Sequence, residues 1–119
     1  VLKTISNIIT KNYRGFDFIG RLGGDEIIIL MIDTFEADGY KAAERCRKKI
    51  EENKFYYNRK EITITISFGL ASSEHIPKDK LTLPERGKNY FRTLLFNSLN
   101  ALARSKRGKK NCVTKFSDL

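Results

Sequence analysis

The sequence is poor in the residues that build disulfide frameworks and metal centres. It holds two cysteines, Cys46 and Cys112, without a C-x-x-C pair, and a single histidine, His75. This scarcity argues against a structural metal site or a disulfide-stapled fold and favours two reduced thiols in a cytosolic protein. We expect Cys46 to lie in the core and His75 to be exposed, outside any cluster of cysteines or carboxylates.

Long apolar runs and negative charge are also in short supply. No stretch approaches the ~20 apolar residues that a membrane span needs, and the first ten residues do not resemble a secretory signal. The 119 residues, 40% hydrophobic and 31% charged, are typical of one globular domain. Lysine and arginine outnumber aspartate and glutamate by 23 to 14, a net charge of +9. That surplus favours anionic partners, whether nucleotides, nucleic acid or an acidic membrane surface.

Apolar periodicity predicts the order helix, strand, strand, helix, strand, helix, strand. This order indicates an α/β (α+β) sandwich with a mostly antiparallel central sheet and helices on its faces. The predicted segments are a helix over 1–11, strands over 16–22 and 26–32, a helix capped by Asp33 or Thr34 with its apolar stripe at Tyr40, Ala43, Cys46 and Ile50, a strand over 62–68 ended by Gly69, a loop over 72–89 with Pro77 and Pro84, a helix from Phe91 to about Lys106, and a strand over 113–116. The unbroken apolar run 27–32 predicts a central strand buried on both faces, and the alternation over 62–68 predicts a half-buried one.

The connection between the first two strands is the main candidate site. Gly23, Gly24 and Asp25 between two β-rich runs predict a tight hairpin, because glycine accepts a positive φ without steric cost. Asp25 and Glu26 then sit beside bare backbone that a large ligand could approach. Carboxylates of this kind hold Mg²⁺ against substrate phosphates. The alternative is an ordinary turn with solvated acids.

Three segments resemble the diguanylate cyclase (GGDEF) family in the family's order. R-L-G-G-D-E-I at 21–27 resembles the signature R-Y-G-G-D-E-F, and I-T-I-S-F-G-L-A at 64–71 resembles a strand motif V-T-V-S-I-G-V-A. A-L-A-R-S-K at 101–106, followed by Asn111, resembles A-L-Y-x-A-K-x-x-G-R-N. With the motif described below, the matches cover residues 14–116. The resemblance implies the nucleotidyl-cyclase palm fold.

The resemblance also implies a reaction and a set of site residues. Two GTP molecules would condense into the second messenger cyclic di-GMP, releasing pyrophosphate, with Mg²⁺ or Mn²⁺ as cofactor. Asp25 matches the metal-binding, proton-accepting acid, and Glu26 its acidic neighbour. Lys106 and Lys110 match two residues that contact the outer phosphates, although the family usually has Arg at the second. The alternative for both lysines is a solvated basic helix end.

A further motif, Arg14-x-x-Asp17, precedes the glycine pair at the spacing of the family's inhibitory site for its product. A guanidinium can pair with phosphate or a guanine edge, and a carboxylate can accept guanine N–H groups. Arg45 falls where the family often adds another arginine. The alternative is a surface ion pair of little energetic value.

Motifs that normally open the family's domain are not found in the sequence. We therefore expect residues 1–119 to be a partial domain without its first strand and the preceding helix, which would supply another metal-binding Asp, guanine contacts and the central strand. The resemblance implies a cytoplasmic catalytic homodimer under the control of a sensory or receiver module. Whether the parent protein is membrane-anchored stays open.

Two other functions compete with the cyclase. One is a catalytically inactive receptor for cyclic di-GMP, which the Arg14–Asp17 motif permits and the intact acids of the turn disfavour. The other is a nucleic-acid-binding domain, suggested by five positive charges over 104–110. We expect no nucleic-acid partner, because the aromatic residues available for stacking sit at core spacing. These aromatics are Phe16, Phe18, Phe68 and Phe91.

Overall fold

The computed structural model describes residues 2–76 and 86–119. Helices and strands follow the expected order, with one additional hairpin. The elements are α1 (Leu2–Asn12), β1 (Phe18–Gly23), β2 (Glu26–Leu30), α2 (Glu36–Glu52), β3 (Phe55–Tyr57), β4 (Lys60–Ile62), β5 (Phe68–Leu70), α3 (Arg86–Arg107) and β6 (Val113–Lys115), with 3₁₀ turns at Ser73–His75 and Phe116–Asp118. None of the helices in the described ranges combines the length and apolarity needed to cross a bilayer.

The strands of the described residues pair two by two. β1 with β2 and β3 with β4 are antiparallel, whereas β5 with β6 is parallel. The predicted α/β class with mostly antiparallel pairing is therefore confirmed. The parallel pair is joined through α3, as a parallel connection requires a crossover element.

The main core lies between α1, α2 and the first hairpin. Ile9 of α1 and Cys46 and Ile50 of α2 are almost completely buried. Fully burying an isoleucine side chain contributes roughly 1.5–3 kcal/mol. The predicted α2 stripe is confirmed at Ala43, Cys46 and Ile50, and Cys46 is a core residue as expected.

β2 is half-buried along its length, so the prediction of burial on both faces is wrong. Ile27 and Ile29 pack against the core, whereas Leu30 lies opposite Phe18 on the other face. Ile32 is 43% exposed. An apolar run indicates a strand but not how many of its faces are covered. Among the described elements, α1 and α2 cover one face of the β1–β2 pair.

The strand predicted over 62–68 is only partly formed. Hydrogen-bonded pairing stops at Ile62 and resumes at Phe68, so the residues between belong to no ladder within the described chain. Ile64 and Ile66 nevertheless pack against the core while Thr65 is exposed. The alternation thus gave the orientation of Ile64 and Ile66 correctly, whereas Ile62 is 36% exposed. Strand pairing depends on a neighbour that periodicity does not identify.

Gly69 does not end this strand but lies inside β5. A Cβ on Gly69 would stand 2.1 Å from the Ser98 carbonyl oxygen and 2.3 Å from the Leu102 nitrogen. The glycine is therefore needed for the close crossing of α3 over β5 and not for chain termination.

The hairpin of β3 and β4 was not predicted. The polar turn expected around residues 58–60 is its tip, with Asn58 and Arg59 at φ values of 50° and 65°. Two consecutive positive φ values are typical of a type I′ hairpin turn. Its strands of three residues each are too short to show a recognisable alternation.

The start of α2 also differs from the prediction. Phe35 is the N-cap residue, without a side-chain cap, and neither Asp33 nor Thr34 holds that position. The Glu36 N–H instead donates to Glu74 Oε1 at 2.7 Å. A carboxylate distant in sequence thus satisfies one free donor of the helix start.

The loop predicted over 72–89 is contradicted at both of its ends. Ser73–His75 forms a 3₁₀ turn and α3 begins at Arg86. Pro77 and Pro84, on which the prediction rested, lie outside the described residues.

Candidate functional site

The acidic turn between β1 and β2 is a hairpin tip, as predicted. Gly23 pairs with Glu26 after a register shift, and Gly23 and Gly24 have φ values of 149° and 52°. A Cβ at either glycine would meet no atom within 4 Å. The backbone of the tip is therefore open to a ligand of some size. Asp25 is exposed and Glu26 half-buried.

Arg21 holds the tip in shape, a role that the sequence reasoning missed. Its guanidinium donates two hydrogen bonds to the Gly24 carbonyl oxygen, at 3.1 and 2.7 Å. This clamp fixes the turn that carries Asp25. The signature motif contains the arginine, but only the structure shows that it points back to the turn.

The end of α3 brings Lys106 to the same tip. Lys106 Nζ lies 3.4 Å from Glu26 Oε2, between residues 80 positions apart. The neighbouring Ser105 is buried and donates to the Phe68 carbonyl oxygen at 2.9 Å, which fixes α3 to β5. The structure thus brings the acidic turn and the basic helix end into direct contact.

Lys110 follows on the turn after α3. It is exposed and has a φ of 55°, and its N–H donates to the Ser105 carbonyl oxygen at 3.0 Å. The structure therefore connects Lys110 to the helix end that carries Lys106.

Arg14 and Asp17 form a second charged pair. Arg14 Nε and Nη2 donate to the two carboxylate oxygens of Asp17 at 3.3 and 3.2 Å. Arg14 Nη2 also donates to the Ile32 carbonyl oxygen at 2.8 Å and to the Thr34 hydroxyl. The Arg14 guanidinium lies 4.4 Å from the centroid of the Phe16 ring.

Asp17 is the more buried partner, with 2% of its side chain exposed against 46% for Arg14. Burial alone would raise the pKa of Asp17. Hydrogen bonds from the Arg14 side chain and from the N–H groups of Arg14 and Ile32 outweigh burial and hold the pKa below its ordinary value. Asp17 is therefore a carboxylate in the neutral pH range.

Arg45 lies beside this pair as predicted. Arg45, Arg14 and Asp17 line one cleft of about 320 Å³. Arg45 donates from Nε to Asn12 Oδ1 at 3.3 Å and from Nη2 to the Asn12 carbonyl oxygen at 3.1 Å. Its guanidinium is thus held at the cleft by α1.

The predicted burial of three phenylalanines is wrong. Phe16, Phe18 and Phe91 are 61%, 61% and 46% exposed, so core spacing does not argue against aromatic stacking at these positions. Each lies near the end of an element or on a face that no other described element covers. The prediction that His75 is exposed is confirmed, with 41% of its side chain accessible. Its Nε2 also lies 3.1 Å from Glu36 Oε2, a contact between residues 39 apart that local sequence does not reveal.

The hairpin tip offers some of the oxygen ligands that a hard cation such as Mg²⁺ prefers. Within residues 2–76 and 86–119, no three His, Cys, Asp or Glu side chains are grouped closely enough to hold a metal by themselves. Asp25 and Glu26 nevertheless offer oxygen ligands, and Mg²⁺ usually takes one or two protein carboxylates together with substrate phosphates and water. The two residues fit such an ion.

The described residues thus form a mixed α/β domain with an acidic hairpin tip facing a basic helix end. Residues 1–112 match the family described as "Diguanylate cyclase, GGDEF domain". The chain belongs to this family.

Similar proteins agree with that assignment. The chain is 32% identical over 114 residues to diguanylate cyclase A of Treponema denticola, covering 96% of this chain and 28% of that protein. It is 35% identical over 74 residues to diguanylate cyclase DgcP of Pseudomonas aeruginosa, covering 62% of this chain and 11% of that protein. The chain thus spans less than a third of either relative.

Solved structures share the fold. The active GGEEF domain of a Vibrio cholerae diguanylate cyclase has a TM-score of 0.76 at 23% identity, over 97% of this chain and 65% of the other. The GGDEF domain of DgcB from Caulobacter crescentus, solved in complex with c-di-GMP, has a TM-score of 0.78 at 20% identity, over 95% of this chain and 61% of the other.

Proposed function

We propose that this chain supplies the acidic tip and the phosphate-binding lysines of a diguanylate cyclase that makes cyclic di-GMP from GTP. The observation that carries the proposal is the 3.4 Å contact between Lys106 Nζ and Glu26 Oε2. It places a cation beside the carboxylates of an open, glycine-lined turn. A triphosphate with its divalent cation requires that combination of charges.

In the proposed reaction, the 3′-oxygen of each GTP attacks the α-phosphorus of the other, so that two P–O bonds close the cyclic product. As each bond forms, the bond from that α-phosphorus to the β-phosphate breaks, one pyrophosphate leaves, and the proton of the attacking 3′-hydroxyl passes to an Asp25 carboxylate, which gives two pyrophosphates in all. When held by Asp25 and Glu26, Mg²⁺ or Mn²⁺ supplies a Lewis acid that lowers the pKa of the hydroxyl and neutralises phosphoryl charge. Two GTP-loaded sites must face each other, so the working state is a homodimer.

Lys106 and Lys110 bind the outer phosphates of GTP in this proposal. The ion pair of Lys106 with Glu26 joins two partly exposed side chains, at 49% and 37% exposure. Such a pair is weak, so Lys106 exchanges it for a phosphate at little free-energy cost. Lys110 offers a point charge in place of the bidentate fork of an arginine.

The Arg14–Asp17–Arg45 cleft is proposed as the binding site for cyclic di-GMP as an inhibitor. One edge of the Arg14 guanidinium donates to Asp17. The exposed part of the Arg14 side chain can stack on a guanine base or bind a phosphate. Arg45 is anchored by Asn12 at the side of the same cleft. A cleft with these groups also supports the second candidate, a cyclic di-GMP receptor without catalysis.

The two candidates are separated by one experiment. The full-length parent protein is incubated with GTP and Mg²⁺ or Mn²⁺, and the nucleotides are separated. The cyclase proposal expects cyclic di-GMP from the unaltered protein and none from Asp25→Ala, with Asp118→Ala as the exposed control. A protein that binds cyclic di-GMP but forms none is the receptor, and equal product from Asp25→Ala would refute the assigned role of Asp25.

A further inference from the structure

A polar network links α2 to the turn after α3. Arg47 of α2 donates from Nε and Nη2 to the Glu44 carboxylate at 2.9 and 3.0 Å and from Nη1 to Asn111 Oδ1 at 3.0 Å. Asn111 Nδ2 donates to Glu51 Oε2. The Asn111 N–H donates to the Ser67 hydroxyl at 3.1 Å. The Asn111 side chain and its N–H are thus all engaged.

The network is largely shielded from solvent, and its side chains are fixed by hydrogen bonds. Only 12% of the Arg47 side chain is exposed, and its hydrogen bonds to Glu44 use the planar fork of the guanidinium. Those hydrogen bonds lower the pKa of Glu44. Both groups therefore stay charged, and the third bond of Arg47 is directed at Asn111.

The turn that the network holds has an uncommon backbone. Lys110 and Asn111 have φ values of 55° and 44°, in the left-handed region. Asparagine tolerates this region better than most residues, whereas a lysine adopts it only when its surroundings impose it. The next residue along the chain is the anchored Asn111. The Lys110 N–H bond to the Ser105 carbonyl then closes the turn onto the helix end beside Lys106.

We propose that Arg47 and Asn111 are positioning residues that fix the turn after α3, so that Lys106 and Lys110 reach the outer phosphates of GTP together. Neither residue touches the nucleotide in this proposal. The inference rests on the proposed function, since it concerns the same phosphate site. It adds Arg47, which lies on a different helix and 59 positions before Lys106 in the sequence.

The test compares GTP with GMP, because GMP lacks the phosphates that the lysines would contact. Affinities for both are measured by calorimetry on the full-length parent and on two variants. Arg47→Lys keeps the charge and removes the fork, and Asn111→Gly keeps the backbone freedom and removes the amide. Arg104→Lys, an exposed arginine on α3, is the matched control.

The proposal expects GTP affinity to fall about tenfold in both variants while GMP affinity stays unchanged. Equal weakening of GTP and GMP would show a merely structural role, and unchanged GTP affinity would show no role; either result overturns the inference. Asn111→Gly decides the matter if Arg47→Lys does not fold, since glycine accepts the positive φ of the turn. Absence of GTP binding in the unaltered protein would instead overturn the proposed function and, with it, this inference.

Discussion

Glu26 and Lys106 meet at 3.4 Å although 80 residues separate them in the chain. The contact joins the start of β2 to the end of α3. Removing the charge of Lys106 therefore tests the proposed phosphate site directly. In Lys106→Ala the affinity for GTP should fall about tenfold or more, because a charge-assisted contact to phosphate is lost.

The control for that measurement is Lys109→Ala, which removes an equal charge from the same basic run. Its GTP affinity should stay near that of the unaltered protein. If both alanine variants weakened GTP equally, general electrostatic attraction and not a contact of Lys106 would explain the binding.

Gly69 is expected to be intolerant of any side chain. In Gly69→Ala, the new Cβ would overlap the Ser98 carbonyl oxygen and the Leu102 nitrogen, both backbone atoms that move only with α3. We expect destabilisation of about 1–3 kcal/mol or more, measured by urea unfolding. Gly15→Ala is the control, since its Cβ would meet nothing within 4 Å, and it should change stability little. A fully stable Gly69→Ala protein would contradict the described crossing of α3 over β5.

Asp17 should make stability depend on acid pH. Its folded-state pKa lies below the ordinary value of 3.8, so its contribution is complete above that value and is lost as the pH falls through the folded-state pKa. Asp17→Asn should cost about 1–3 kcal/mol at pH 7, and the difference from the unaltered protein should shrink at more acidic pH. Urea unfolding at several pH values measures this.

The two thiols should differ in reactivity. Cys46 is fully buried, and burial raises its pKa to about 11, so little thiolate forms at neutral pH. Cys112 is only half-buried. A thiol reagent such as 5,5′-dithiobis(2-nitrobenzoic acid) should therefore label Cys112 first and Cys46 only on unfolding. In the Cys112→Ser variant, Cys46 is the remaining thiol of residues 1–119. Rapid labelling of that variant in its folded state would contradict the buried position of Cys46.

Local chemistry allowed much of the structure to be predicted. Gly23 and Gly24 indicated a hairpin because tight turns need positive φ, and the three-residue spacing of Arg14 and Asp17 allowed an ion pair as the alternative to a binding motif. The stripe of α2 followed from helical periodicity. Each of these predictions depends on neighbours within about one turn of the chain.

The features that were missed depend on distant partners. Glu74 caps α2 from 38 residues away, and Arg47 reaches Asn111 across 64. The unpaired segment between Ile62 and Phe68 shows the same limit, since its alternation is correct but its ladder is absent from the described residues. A strand is completed by its neighbour, and periodicity carries no information about that neighbour.

Helix α2 carries Arg45 and Arg47 two positions apart, one facing the cleft of Arg14 and the other facing the turn of Asn111. An α-helix turns by about 100° per residue. Deleting one residue between Glu36 and Arg45 would therefore rotate both guanidiniums away from their partners at once. Homologous chains with a length change at that place should have lost both arginine contacts together, whereas changes of length in the β3–β4 tip should leave both contacts intact.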